Sequence, residues 1–430
     1  MSGKRRILIF LLLITGGLLN TITAGTSESK FYIRGAVYQD WLGFKANDVD
    51  LYSRLSSRLK LTLWNRPGTG WTVCIDLRNR YTFGHDADNQ LIIYNTYLTY
   101  DKPDKKIMFS LGQMNLYDTA GIGMLTGGVA GYKLNRYLTL GGYAGIEPDI
   151  YNTRWETDYQ KFGMFFRFLG KRARQISVSY NQLRYAGETE RQFLYFNGLW
   201  PMKNLLMFYG HLQYELGSTI KNEDRLSWVF ANIRLNLTKY ADLTGHYSSG
   251  RGLDTHRFLL DQSQDPTVLN TEIDRYFFNT SYGVRLSIKP VPNLRLYVER
   301  RQSEQIDEGI ENHTTRLGIS ATNIFKSGIS MFGNYNLNRG ELSESDSYYI
   351  SASRSFGKLS WSLSYANYYN GVLTMEDGTQ QIFHLTDHQT ISSSLFFILN
   401  KHLAFSLEYA HTRQDDESEH QFFVRLIYRR

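Results

Sequence analysis

Basic residues recur at every second position in segments whose alternate positions are apolar. Arg54, Arg58 and Lys60 stand opposite in phase to Leu55, Leu59 and Leu61. Arg78 and Arg80 follow in the next segment, and Lys161, Arg167, Arg234, Arg285, Arg295, Arg316 and Arg425 take the same polar phase in theirs. Cations on the water-facing side of a low-dielectric wall concentrate counter-ions. Rings of Arg and Lys favour anions, and the planar guanidinium fork suits phosphate or carboxylate. The plainer role is pairing with Asp76, Glu215, Asp242, Glu299 and Glu408, which would only stiffen the wall. Basic residues outnumber acids too far for pairing alone, so an anion preference is expected.

Other chemistry is thinner. Asp415, Asp416, Glu417 and Glu419 crowd one connection, Asp307, Glu308 and Glu311 a second, and Asp86 and Asp88 a third. Such clusters could hold Ca²⁺ or Mg²⁺ against lipopolysaccharide phosphates, but Asp86-Ala-Asp88-Asn89 lacks the spacing of a calcium loop, and a solvated acidic rim is the expectation. His384 and His388 lack an HExxH context. Ser218–Lys221 matches SxxK in a connection where the lysine would stay protonated. The reading is therefore non-enzymatic, with no cofactor and no metal. The single Cys74 excludes an internal disulfide and a cysteine-rich metal or haem site. Trp64, Trp71, Tyr100, Tyr137 and Phe356 sit at segment ends and read as an interfacial girdle. A sugar-sliding track would need aromatics on the water-facing phase, where only scattered ones such as Tyr209, Tyr297 and Phe332 fall.

The elements that must carry these residues are strands. Trp71, Val73, Ile75 and Leu77 alternate with Thr72, Cys74, Asp76 and Arg78, and Leu403 to Ala410 repeats the pattern. Period-two alternation gives one apolar and one polar face. It recurs in about 22 segments, within a range of roughly 18–22, each close to the 9–11 residues that a tilted strand needs to cross a bilayer. The faintest are the first segment, 192–200, and the glycine-rich pair over 124–146, which could bulge or rest against something inside. Connections alternate between short ones, such as 135–136 and 400–402, and longer ones, such as 42–50, 147–157, 249–275, 302–313 and 370–386. Short connections are mainly basic and long ones mainly acidic. The fold class is all-β: a single antiparallel transmembrane β-barrel over residues 25–430 with no plug domain. A lumen of that size needs narrowing. The longest connection, Ser249–Arg275, is the candidate constriction, with Arg251, Arg257 and the apolar patch Phe258, Leu259 and Leu260 that would need a surface to cover it; the alternative is an ordered external loop.

Residues 1–24 read as a cleaved Sec signal peptide. Lys4, Arg5 and Arg6 precede an apolar run, and Ala24 suits cleavage. These three cations belong to a formal net charge of +7. Mean hydropathy is −0.38, as expected of a barrel in which only alternate residues meet lipid.

The final segment, Gln421-Phe422-Phe423-Val424-Arg425-Leu426-Ile427-Tyr428, is similar to the signal read by the barrel-insertion machinery. With the strand pattern it makes the whole chain after the leader resemble a Gram-negative outer-membrane porin-type barrel, at class level and with no specific family. The resemblance implies integral outer-membrane placement, with acidic loops outside and basic turns in the periplasm. Implied partners are membrane lipid and lipopolysaccharide and the barrel-assembly machinery, not nucleic acid. The expected function is passive passage of small hydrophilic solutes, anion-leaning through the Arg-lined lumen. The alternative is a sheath or docking scaffold for a lumen-filling or periplasmic partner, such as an electron conduit or an export complex.

Overall fold

A computed structural model describes residues 31–429 apart from 47–51, 66–69, 84–88, 149–154, 204, 219–224, 252–277, 306–308, 342, 377–378 and 415–416. The expected leader lies outside the described residues. The chain forms one 22-stranded sheet in which each strand pairs antiparallel with its neighbour. The first strands are β1 (Phe31–Ala46), β2 (Tyr52–Asn65), β3 (Trp71–Phe83), β4 (Asn89–Asp101), β5 (Ile107–Asn115), β6 (Met124–Lys133) and β7 (Leu138–Pro148). Next come β8 (Trp155–Leu169), β9 (Gln175–Tyr185), β10 (Glu188–Met202), β11 (Leu206–Ser218), β12 (Leu226–Asn236), β13 (Ala241–Arg251) and β14 (Phe278–Val291). The last are β15 (Leu294–Gln305), β16 (Ile310–Ile324), β17 (Ile329–Gly340), β18 (Ser343–Phe356), β19 (Leu359–Glu376), β20 (Thr379–Ile398), β21 (Leu403–Gln414) and β22 (Glu417–Arg429). β22 pairs with β1, with Arg425 opposite Asp40, so the sheet closes and leaves no edge.

Register carries one face around the whole barrel. Arg58 faces Arg78, Thr139 faces Arg167, Thr244 faces Arg285, Glu299 faces Arg316, and Ser406 faces Arg425. The opposite face carries exposed apolar side chains on strand after strand, among them Leu111, Met164, Val178, Ile233, Val284, Ile319, Ile350 and Ile391. A closed sheet with all backbone groups paired and an apolar outer belt is the only β arrangement that lipid tolerates. The polar face is therefore the lumen wall.

The short connections form one end of the barrel, and their turns share a device. Asn135 Oδ1 accepts from the backbone N–H groups of Tyr137 and Leu138 at 2.8 and 3.0 Å. Asn400 Oδ1 does the same for His402 and Leu403 at 2.8 and 3.0 Å. An Asx side chain that satisfies the turn in this way lets a strand reverse within a few residues.

All four faint segments are strands, β1, β6, β7 and β10. Two of the expected long connections are not loops, however. β15 runs to Gln305 and β16 starts at Ile310, while β19 and β20 are 18 and 20 residues long. They exceed the ~9–11 residues a span requires, so the 302–313 and 370–386 regions are extended hairpins. Polar residues such as Glu304, Gln380 and Gln381 continue the ladder where the alternation of hydrophobicity has faded.

Buried apolar packing collects on the inner face of β5–β10. Leu125, Val129, Tyr143, Phe165, Leu183, Phe193 and Tyr195 form it together with Ala120 and Ile122 from the β5–β6 connection.

Candidate functional site: the lumen wall

Every basic residue expected on the water-facing phase takes the inner face by register: Arg54, Arg58 and Lys60 on β2, Arg78 and Arg80 on β3, and Lys161 and Arg167 on β8. Arg234 on β12, Arg285 on β14, Arg295 on β15, Arg316 on β16 and Arg425 on β22 join them. They divide into two sets. Arg58 forms a two-point pair with Asp76, Nε–Oδ1 2.7 Å and Nη2–Oδ2 2.8 Å. Arg425 grips Asp40 across the closing seam at 2.7 and 3.2 Å. Asp242 is shared by Arg234 at 3.2 Å and Arg295 at 3.3 Å. Glu299 is shared by Arg285, whose Nε lies at 2.7 Å, and Arg316 at 3.8 Å. Lys161 pairs with Glu147.

Arg54, Lys60, Arg78, Arg80 and Arg167 form no ion pair among the described residues. Four of these lie on β2 and β3. Tyr94 sits at a register shift in β4, where its ring lies 4.8 Å from the Arg58 guanidinium carbon and 5.9 Å from that of Arg78. It backs the cationic wall with a π face and takes no charge from it.

The pairing role is thus real on β12–β16 and at the seam, while β2–β3 keeps its charge. Of the acids expected as partners, Glu215 binds Arg191, and Glu408 accepts from Ser406 at 3.3 Å. Sequence reasoning missed Arg34, Arg191, Arg301 and Arg429 on the inner face. Arg34 shares the phase of Tyr38 and Asp40, a signal that the faintness of the first strand hid. Trp64 is a correction: it faces inward, stacked on Tyr32 at 5.9 Å, because it shares the even phase of Arg58 and Lys60. Trp71 and Tyr100 do cluster on the outer face with Phe109, at 5.1 and 5.6 Å.

Among the described residues one connection folds against the inner face, while most of the expected constriction, Ser249–Arg275, lies outside the described residues. The connection between β5 and β6 carries the single helical turn α1 (Tyr117–Ala120), which packs on β8, β9 and β10. Lys161 Nζ donates to Ile122 O at 2.7 Å and to Met124 O at 3.3 Å. Ser179 Oγ donates to Ala120 O at 3.4 Å. Gly121 has φ +70°, and a Cβ there would lie 2.5 Å from the Tyr195 ring. The glycine-rich β6–β7 pair allows the close wall beneath: a Cβ on Gly127 would lie 2.2 Å from Ala144 O. This supplies the something inside that those glycines suggested. Arg257, Phe258, Leu259 and Leu260 lie outside the described residues, as does the side chain of Arg251.

Aromatics on the lumen side are clustered more than the sequence suggested. The His211 ring lies 5.3 Å from Phe230, 5.1 Å from Trp228 and 6.2 Å from Tyr195, with Tyr117 of α1 alongside at 6.2 Å. Their strands bring together positions far apart in sequence. The wall of β18–β20 is neutral and hydroxyl-lined, with Ser362–Ser394 at 2.6 Å and Ser364–Ser392 at 2.5 Å. His388 faces the lumen beside Tyr368 at 6.4 Å, and the side chain of His384 lies outside the described residues. The expected acidic rim falls largely outside them as well.

No protein-family model matches the chain, and no curated protein matches it. Solved structures do. Pseudomonas aeruginosa OccK3 (OpdO) is 11% identical over 93% of this chain and 95% of its own, with a TM-score of 0.41. Acinetobacter baumannii OccAB4 is 9% identical over 94% and 99%, with a TM-score of 0.43. Pseudomonas aeruginosa OccK10 (OpdN) is 11% identical over 92% and 99%, also at 0.43.

Proposed function

We propose that the protein is an outer-membrane channel for passive passage of small hydrophilic solutes, with a preference for anions. The observation that carries this reading is the cationic wall of β2 and β3. Arg54, Lys60, Arg78 and Arg80 face the lumen without an ion pair among the described residues, while Asp76, the carboxylate among them, is held by Arg58. A fixed positive sector in a water-filled, low-dielectric tube raises the local anion concentration. The inward segment at α1 rests on β8, β9 and β10 and would narrow the lumen beside those strands. Lipid and lipopolysaccharide would surround the barrel, and the β22 sequence would serve its insertion. The short-turn end is assigned to the periplasm.

The test is the reversal potential of the purified protein in a planar bilayer under a salt gradient. The expected result is a stable, anion-biased conductance that loses most of its bias in the combined variant Arg54→Ser, Arg78→Ser, Arg80→Ser. Absence of any conductance would overturn the reading and favour a barrel that sheathes a lumen-filling partner.

A further inference from the structure

Where β22 closes on β1, a hollow of about 700 Å³ opens on the lumen side at the short-turn end. Gly35 and Ala36 line it together with Arg34, Lys60 and Arg429. The register explains the gathering. Ala36 pairs with Lys60 on one side and Arg429 on the other, and Arg34 lies two residues away on the same face. Strands are ~4.8 Å apart and two residues advance a strand by ~6.7 Å, so three cationic side chains rise around one methyl group. Tyr38 and Thr62 add hydroxyls, and Trp64, stacked on Tyr32, forms an apolar side.

No carboxylate lines the hollow among the described residues. Two carboxylates on the same face of these strands are committed elsewhere: Asp76, opposite Lys60 on β3, to Arg58, and Asp40, further along β1, to Arg425. The Arg429 backbone is fixed at both ends, its N–H donating to His402 O at 2.7 Å and its carbonyl 3.0 Å from His402 Nδ1. The site is therefore built on the sheet and is not a frayed terminus.

We propose that this hollow is a binding subsite for a divalent oxyanion, either phosphate or a dicarboxylate, at the inner mouth of the channel. It deepens the anion-channel reading and rests on it for its role. Two guanidinium forks and an ammonium suit a tetrahedral dianion, which can accept from each at once. The open side toward the lumen keeps binding weak enough for release, as passage requires.

The test uses the full chain in detergent, with inorganic phosphate as the probe and ³¹P line broadening as the readout, in 0.15 M NaCl, where the Debye length of about 8 Å mutes distant charges. Native protein should broaden the phosphate line saturably. Arg34→Gln with Lys60→Gln should weaken the effect at least tenfold. Arg354→Gln removes a charge at the same end from the outer face and should leave it unchanged. Heat-modifiable gel migration establishes that each variant is a folded barrel, and Arg34→Lys provides a conservative variant that should retain part of the binding. Equal phosphate binding by native and double variant, or none by the native chain, overturns the subsite. Succinate that displaces phosphate assigns the site to divalent oxyanions in general, and failure to displace assigns it to phosphate. Conductance without phosphate binding would overturn the subsite alone. Phosphate binding without conductance would overturn the channel alone.

Discussion

Arg58 and Arg80 carry the same charge on neighbouring strands of one wall, but their surroundings differ. Arg58 spends its fork on Asp76 with two short bonds, whereas Arg80 has no ion-pair partner among the described residues. Asp76→Asn should release Arg58 and raise the anion-to-cation permeability ratio, while Arg80→Gln should lower it. Reversal potentials of the two variants check the opposite signs. At the seam, Asp40 is buried and receives both bonds from Arg425. Asp40→Asn should cost ~1–3 kcal/mol, the scale for a charged hydrogen bond lost in a buried setting, read as a lower denaturant midpoint. The inward phase of these arginines was legible because side-chain direction in a strand has period two. Which of them are neutralised was not legible. Pairing depends on register between strands, and Asp242 and Glu299 each turn out to serve two arginines. Trp64 misled for a related reason: a tryptophan at a strand end suggests a membrane girdle by composition, yet its phase was that of Lys60.

At the scale of elements, the inward segment is held by few groups, and each is identifiable. Lys161 is buried, pairs with Glu147 and donates to Ile122 O and Met124 O. Lys161→Met should free the segment and leave Glu147 without this partner. Gly121→Val should act independently, since its Cβ would collide with Tyr195 and its φ of +70° disfavours a branched residue. Both variants should show larger or flickering single-channel conductance than the native chain. Unchanged conductance in both would mean that the segment does not limit passage. Sequence length pointed to Ser249–Arg275 as the constriction, because only a long connection can reach far inward. Most of that connection lies outside the described residues, and the shorter one at α1 also turns inward because Gly127, Gly141 and Gly145 let β6–β8 approach closely and leave a surface on which one helical turn can rest. The glycines were visible in the sequence. Their partner was not, since α1 reaches strands distant in sequence. The hairpins β15–β16 and β19–β20 were under-read at their tips for another reason. Beyond the bilayer no lipid enforces alternation, so polar residues on both faces look like loop.

Across the whole molecule the lumen is divided into sectors. A cationic wall runs over β2–β3, an aromatic and glycine-lined wall covers β5–β12 with α1 resting on β8–β10, paired charges follow on β12–β16, and hydroxyls line β18–β20. Neutral and paired sectors do not distinguish ions by sign, so selectivity should come from one side of the tube and act over a limited distance. Screening sets that distance, at about 10 Å in 0.1 M salt and about 3 Å in 1 M. In dilute salt the field of Arg54, Lys60, Arg78 and Arg80 should extend across much of the open cross-section, and anions should be favoured throughout. In 1 M salt it should cover only a layer along β2–β3, and cations should pass freely beside the serine wall. The anion bias should therefore fall steeply between 0.1 and 1 M salt, measured as reversal potential at a fixed concentration ratio. A channel whose selectivity came from a narrow ring of arginines would keep its bias across the same range, because every permeating ion would remain within contact distance of the charge. A constant bias would take the selective element away from the cationic wall and place it where every ion passes within contact distance of a fixed charge.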